Sequence, residues 1–329
     1  MRYVIIGAGA VGGTIGALLD RAGHDVTLVA RGAHLAAIRE RGLTLDSPDG
    51  EYVARTVALD GPAGLTLEPD TALLLTVKSQ DTEAALRAWA DVPVRDGGTA
   101  ADRLPLLTAQ NGVANERTAL RYFRHVYGVC VWLPATFLEP GLVAAEGHPH
   151  PGMLHLGRYP TGSDDTARQI AADLTGAGFV SPVRDDVPRW KYAKLLSNLG
   201  NGVDALLGRA AAEHAELLAR LRAEGEAALT AAGIGYASQA EEQADRGDRV
   251  QLRPVAGRSR PGGSTWQSLA RGAGTAEADF LNGEIVLLGR LHGVPTPVNA
   301  AVQQAVRRAA RDRIRPGTFP AAELTKLLD

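Results

Sequence analysis

"MRYVIIGAGAVGG", residues 1 to 13, opens with a β-branched run and closes on four glycines, of which Gly7, Gly9 and Gly12 are spaced G-x-G-x-x-G. The run reads as a buried strand, and the helical spacing of "AVGGTIGALLDRAG" after it reads as a helix stopped at Gly23. G-x-G-x-x-G placed between a strand and a helix has a physical meaning that the bare pattern lacks. Gly7 permits the tight turn, Gly9 lets the backbone approach a pyrophosphate, and Gly12 allows the helix to lie close on the strand. The helix start adds positive potential. Gly7, Ala8, Gly9, Ala10, Val11 and Gly12 are therefore the expected binding loop of a dinucleotide; the plain alternative is a glycine-rich turn with no ligand.

Outward from this loop, "DVTLVA" reads as a second strand and "GAHLAAIRERG" as a second amphipathic helix, which together imply parallel βαβ units. Further strands are expected at "ALLLTV" (72–77), "LPLLTA" (104–109), "VYGVCVWL" (126–133), "GLVAAEG" (141–147) and "MLHLGRY" (153–159), with helices at "EAALRAWA" and "ANERTALRYF". Where an NAD-preferring chain ends its second strand with an acid for the ribose 2′-OH, this one reads "VTLVARG". Arg31 in that place favours a 2′-phosphate through a charge-assisted fork, hence NADP(H), unless it is simply a solvated arginine. Lys78, in "TVKSQDT", follows a later strand at the carboxyl edge and could add a second positive group.

From Val187 onward the period turns helical: "VPRWKYAKLLSNLGNGVDALL", "AAEHAELLARLRAEGEAALTAAG", "EADFLNGEIVLLGRLHG" and "NAAVQQAVRRAARDRI". The stretch "RPVAGRSRPGGST" (253–265) reads as a loop. Two domains are expected, an α/β domain over 1–186 and an all-helical domain over 187–329. A chain of 329 residues is long enough to bury two apolar cores.

Bulk composition narrows the class. Apolar residues at 45%, charged residues at 22% and a net charge of −2 describe a soluble globular chain with no electrostatic case for nucleic acid or an anionic membrane. No apolar run approaches the ~20 residues of a membrane helix, and the N-terminal run is broken by glycines too early for a signal peptide. The single Cys130 fits a reducing cytoplasm.

Thirty-one of the thirty-five basic residues are Arg, so a position that keeps Lys stands out. Lys alone offers a compact ammonium that can surrender its proton. Lys191, Lys194, Asn198 and Asn201 fall at i, i+3, i+7 and i+10, one face of a continuous helix. That face reads either as the lining of a cleft or as a solvated surface. Asn is a poor interior helix residue, which favours the cleft.

Taken together, "GAGAVGG", "VARG", "TVKSQDT", "QNGVANE" with Asn111, "KLLSN", and "GGSTWQS…TAEADFLNGEIVLLGRLHGVPTP" with Ser264 and Glu277 resemble the ketopantoate reductase (2-dehydropantoate 2-reductase) family over essentially the full length. The resemblance implies a Rossmann-type parallel sheet followed by an all-helical domain of the 6-phosphogluconate dehydrogenase type. It implies NADPH-dependent reduction of a 2-keto acid, ketopantoate, in pantothenate and coenzyme A biosynthesis. Lys194 matches the proton donor, and Glu277 an acid near the nicotinamide end of the cleft. Asn111 matches a residue touching both cofactor and substrate, Arg31 and Lys78 match cofactor contacts, and Asn198, Asn201 and Ser264 belong with the substrate contacts. Lys191 is left as a supporting or surface charge. Two positions depart from the family: Gly202 stands where a second Asn is frequent, and Ser268 where an acid is frequent. A small-molecule 2-keto acid is thus the expected partner, with no nucleic acid and no membrane; a homodimer is an open option. The alternatives are a reductase of another 2-keto acid or a non-catalytic NADP(H) sensor.

His148, His150 and His155 in "EGHPHPGMLH" lack an acid or Cys to complete a zinc set and read as exposed residues of a Pro-rich turn. No metal is expected. Ser197 lacks a G-x-S-x-G context, and Cys130 reads as a small buried residue.

Overall fold

The computed structural model describes residues 1–208, 214–258 and 260–328. The opening run forms β1 (Arg2–Ile6), followed by α1 (Ala10–Arg21), β2 (Val26–Val29), α2 (Gly32–Arg41), β3 (Leu43–Ser47), β4 (Gly50–Ala54), β5 (Val57–Leu59) and β6 (Thr71–Leu75). Then come α3 (Thr82–Ala90), α4 (Ala100–Arg103), β7 (Pro105–Thr108), α5 (Asn115–Ala119), β8 (His125–Trp132), β9 (Ala135–Glu139), β10 (Leu142–Ala145), β11 (Gly147–Pro149), β12 (Met153–Arg158) and α6 (Asp165–Gly176).

The main sheet has seven strands in the order β12-β8-β7-β6-β1-β2-β5, parallel throughout except for β12 against β8. Strands of such a sheet are covered on both faces, which is why β6 and β7 are buried at every position and apolar except at Thr71 and Thr108. From β1 the chain winds outward to β2 and β5, then restarts at β6 on the other side. The switch point between β1 and β6 is where an open α/β sheet leaves a crevice for a ligand.

A second, four-stranded sheet, β4-β3-β10-β9, lies on the opposite side of α1. Three glycines let that helix sit between two sheets. A Cβ on Gly16 would lie 2.6 Å from Leu28 Cδ2 of the main sheet, and one on Gly13 would lie 3.2 Å from Leu43 Cδ2 and 3.3 Å from Val143 Cγ1 of the second. At Gly12 a Cβ would run into the Gly7 carbonyl and Thr76 Oγ1. The strand expected at 141–147 is β10 and belongs to this sheet; β3, β4, β5 and β9 were not among the expected strands. The alternation of "LTLDSPDGEYVA" about Asp49-Gly50, with Gly50 at φ 116°, was the available hairpin signal.

The later chain forms α7 (Val187–Asn198), α8 (Asn201–Leu207), α9 (Ala215–Ala231), α10 (Gln239–Arg246), β13 (Val250–Leu252), α11 (Ser264–Ala270), α12 (Asn282–His292), α13 (Pro297–Arg311) and α14 (Ala321–Leu328). The start of the helix expected over "AAEHAELLARLRAEGEAALTAAG", residues 211–213, lies outside the described residues. Ser264 and Thr265, expected in a loop, open α11.

The chain divides into two units. One comprises Met1–Gln110, Asn115–Trp190 and Gln239–Arg260; the other comprises Asn111–Ala114, Lys191–Ser238 and Pro261–Asp329. Among its described residues the second unit is helical, built around Leu195, Leu199, Val203, Leu206, Ile285 and Val302. The α-helical chain returns to the first unit for α10 and β13, and β13 pairs antiparallel with β11. Among the described residues no helix is long and apolar enough to cross a membrane.

Candidate active site

In the first unit the glycine loop leaves β1 at the switch point. Gly7 has φ 108°, a conformation that only glycine adopts without strain. The loop is tied down on several sides: the amides of Gly7 and Ala8 donate to Val29 O at 3.2 and 2.8 Å, and Thr76 Oγ1–H donates to Gly7 O at 2.7 Å. The first intrahelical bond of α1 runs from Gly13 N–H to Gly9 O, so Ala10, Val11 and Gly12 lead the helix with amides that have no partner inside it. No acid occupies the first turn and no side chain caps it, so the positive end is open to an anion.

Gly9 separates fold from function. Its φ is −76°, ordinary for any residue, and an added Cβ would meet nothing within 4 Å. Packing therefore does not require glycine there, whereas close approach of a ligand to the backbone does. Gly7 and Gly12 are demanded by the fold itself.

Arg31 is exposed at the N-cap of α2, at the carboxyl end of β2. Lys78 is half-buried just past β6, at the start of a 3-10 turn over Ser79–Asp81. The loop carrying Lys78 rests on a buried polar network that sequence reasoning missed. Gln110 Nε2 donates to Val77 O at 2.7 Å and to Thr82 Oγ1 at 2.8 Å, Thr82 donates to Asn115 Oδ1 at 2.8 Å, and Asn115 Nδ2 donates to Ser79 Oγ at 3.3 Å. The residues on either side of Lys78 are thus held from below by a hydrogen-bonded network. Its signal was the run of polar residues in "TVKSQDT" and "QNGVANE" at the ends of apolar strands.

In the second unit, motifs far apart in sequence converge. Asn198 Nδ2 donates to Asn111 Oδ1 at 3.4 Å. A Cβ on Gly112 would lie 2.9 Å from Phe280 O, so the Asn111 loop is packed on the 3-10 turn Glu277–Phe280 that carries the buried Glu277. A Cβ on Gly263 would lie 3.6 Å from Asn201 Oδ1, which sets Asn201 beside the start of α11 and Ser264. Lys194 lies half-buried one turn before Asn198 on α7. Ser268 Oγ donates to Ser264 O at 3.1 Å.

The structure corrects the expectation of one continuous helix face. The segment breaks after Asn198 and restarts at Asn201, so Lys191, Lys194 and Asn198 share a helix while Asn201 begins another. Asn282 stabilises the break, its Nδ2 donating to Leu199 O at 3.1 Å and to Asn299 Oδ1 at 3.0 Å. Asn299 in turn donates to Leu221 O at 3.0 Å and to Glu224 Oε2 at 2.8 Å. Asn282 and Asn299 are both buried and were missed; the scarcity of Asn in this chain was the signal. Lys191, expected as a supporting or a surface charge, is buried, at 4% exposure, which removes the surface alternative.

The three histidines do not share an exposed turn. His155 is 1% exposed on β12, with Nε2 2.8 Å from Asp245 Oδ2 and its ring edge-on to Trp190 at 4.8 Å. His150 Nδ1 lies 2.9 Å from Gly178 O, and His148 Nδ1 3.5 Å from Asp49. Cys130 is buried, its thiol donating to Trp190 O at 3.4 Å. Among the described residues no cluster of three His, Cys, Asp or Glu could hold a metal ion.

A parallel sheet in this order, a glycine loop at its switch point and a helical unit bearing Lys194 among amides are the build of an NAD(P)(H)-dependent oxidoreductase. Residues 3–161 match the family described as Ketopantoate reductase PanE/ApbA, and residues 186–310 match Ketopantoate reductase PanE/ApbA C terminal. The chain belongs to the ketopantoate reductase family. A 2-dehydropantoate 2-reductase of Archaeoglobus fulgidus is 30% identical over 313 residues, 93% of this chain and 97% of that one. The crystal structure of a PanE/ApbA family ketopantoate reductase from Ralstonia eutropha JMP134 matches with a TM-score of 0.76 at 28% identity, covering 95% of this chain and 99% of that one. A D-mandelate dehydrogenase in ternary complex with NADH and anilino(oxo)acetate reaches a TM-score of 0.78 at 21% identity over 96% of this chain and 100% of that one, a likeness of fold.

Proposed function

We propose that this chain reduces 2-dehydropantoate to pantoate with NADPH, a cytoplasmic step of pantothenate and coenzyme A biosynthesis. Residues 1–186 hold the nucleotide and residues 187–329 hold the keto acid. The observation that carries this reading is the convergence of the Asn111 loop, the Lys194–Asn198 turn, Asn201, the Ser264 helix start and the Glu277 turn within one helical unit.

A bound nicotinamide dinucleotide would supply a hydride to the keto carbon. The carbonyl oxygen then gains charge, and the Lys194 ammonium stabilises it and gives up a proton, leaving a 2-hydroxy acid. Asn198, Asn201 and Ser264 would hold the substrate's polar groups, Asn111 would contact both substrate and cofactor, and Glu277 would be the acid toward the nicotinamide. Gly7 through Gly12 cradle the pyrophosphate, while Arg31 and Lys78 select the 2′-phosphate.

The test follows NADPH and NADH oxidation with ketopantoate beside a panel of branched and aromatic 2-keto acids. Ketopantoate with NADPH is expected to give the highest kcat/KM, and Arg31→Asp is expected to weaken NADPH far more than NADH. No oxidation with any keto acid would overturn the catalytic reading in favour of a dinucleotide sensor. A second reading, reductase of a different 2-keto acid, is favoured by Gly202 and Ser268. Gly202 supplies no amide, and the Ser268 hydroxyl is turned onto the Ser264 carbonyl of its own helix. A higher kcat/KM on another keto acid decides for it.

A further inference from the structure

His34 lies three residues after Arg31, in the first turn of α2, and nothing in the reaction uses it. Its ring nitrogens are both engaged: Gly141 N–H donates to Nδ1 at 2.9 Å, and Nε2 lies 2.6 Å from Ala8 O. An amide can only donate, so Nδ1 must be the acceptor and the proton must sit on Nε2, which then donates to the Ala8 carbonyl. Phe137 of β9 packs against the ring edge-on at 4.9 Å and fixes its plane. Burial depresses the His34 pKa, against the opposing effect of the Ala8 carbonyl, which keeps this neutral tautomer in place at neutral pH.

The Ala8–Gly9 peptide is where the dinucleotide loop needs such a contact. Gly7 and Ala8 are held by Val29 O and Thr76, but Gly9 has neither a side chain nor any neighbour around its Cβ position. The N–H of this peptide is held within the loop, donating to Gly7 O at 2.7 Å, whereas its carbonyl needs a partner from another element. Only the His34 bond holds its carbonyl among the contacts of the described residues. The turn at Gly141 belongs to the second sheet and is further tied to α2 by Arg41 Nη2, which donates to Pro140 O at 2.6 Å.

We propose that His34 is a positioning residue for the dinucleotide: through Nε2–H it orients the Ala8–Gly9 peptide so that the leading amides of α1 face the pyrophosphate, and the β9–β10 turn sets its tautomer. The inference rests on the dinucleotide reading of the loop.

Two near-isosteric variants separate the halves of the bridge. His34→Gln keeps an N–H near the Nε2 position, and His34→Asn keeps an acceptor near the Nδ1 position. NADPH affinity by fluorescence titration, with KM and kcat for a turned-over keto acid, is the readout. His34→Asn is expected to raise the NADPH Kd and KM about tenfold, equivalent to about 1.4 kcal/mol, with kcat at saturating NADPH nearly unchanged; His34→Gln is expected to stay within about threefold of wild type. Equal weakening in both variants, or none in His34→Asn, overturns the proposal. Should either variant not fold, hydrogen exchange of the wild-type Gly141 amide decides: protection that rises with NADPH supports the bridge, and unchanged protection overturns it. A wild-type chain that binds neither NADPH nor NADH overturns the dinucleotide reading and the inference with it.

Discussion

At the scale of single residues, chemistry and packing make different demands that substitution can separate. Gly9 has an ordinary backbone and open space where a Cβ would go. Gly9→Ala is therefore expected to melt within about 0.5 kcal/mol of wild type yet bind NADPH about tenfold more weakly, near 1.4 kcal/mol; unchanged affinity by titration would deny the loop its role. Lys194→Ala is expected to fold and bind NADPH while losing about a hundredfold or more in kcat, the range of a lost general acid. Stopped-flow turnover within a few-fold of wild type would remove Lys194 from proton donation. Both residues were legible in the sequence, one from a motif with its strand and helix, the other from scarcity of Lys in an Arg-rich chain and from resemblance. Asn282 and Asn299 were not, because a buried amide acts through partners distant in the chain.

The elements show why helical periodicity misled over residues 189–206. A continuous helix would have put Asn201 in line with Lys194 and Asn198. Instead the chain breaks at Leu199-Gly200, where Asn282 takes the Leu199 carbonyl. Periodicity carries no record of a carbonyl satisfied from another helix. The break also accounts for Gly202. A Cβ there would lie 2.7 Å from Val302 Cγ1 and 3.0 Å from Val306 Cγ2, so α8 meets α13 too closely for a side chain. Restoring the family's frequent amide by Gly202→Asn is expected to cost about 1–3 kcal/mol from overpacking. A urea midpoint equal to wild type would show that the two helices separate freely. Gly202 is thus a packing residue.

On the scale of the whole molecule, the two-part organisation was readable because parallel strands and helices have different periods. The return of residues 239–260 to the first unit was not, since it depends on pairings with residues from 52 positions earlier, as Arg189 with Glu241, to more than a hundred, as Gly147 with Leu252. Asp245 on α10 receives Arg184 Nη2 at 2.6 Å and lies 2.8 Å from His155, while Arg189 donates to Glu241 at 2.7 and 2.8 Å. Burial lowers His155 to about 4, against the opposing pull of Asp245. The native state thus keeps His155 neutral while the unfolded chain takes up the proton near 6.5. Between about pH 6.5 and 4 the unfolded state binds more protons, so stability falls as pH falls through that window. In His155→Gln this part of the slope is expected to vanish. Denaturation midpoints measured across the window test it, and parallel curves for variant and wild type would refute the assignment.

By itself the sequence determined the parallel sheet around β1, the glycine loop, the helical character of the later chain and the residues able to carry charge and protons. These follow from short-range periodicity and side-chain chemistry. The second sheet behind α1, the break that places Asn201, the burial of Lys191 and His155, and the His34 bridge were decided only in the tertiary structure. Each depends on a carbonyl, amide or ring meeting a partner from another element, as Asn282 meets Leu199 across 83 positions, and no local pattern encodes that meeting.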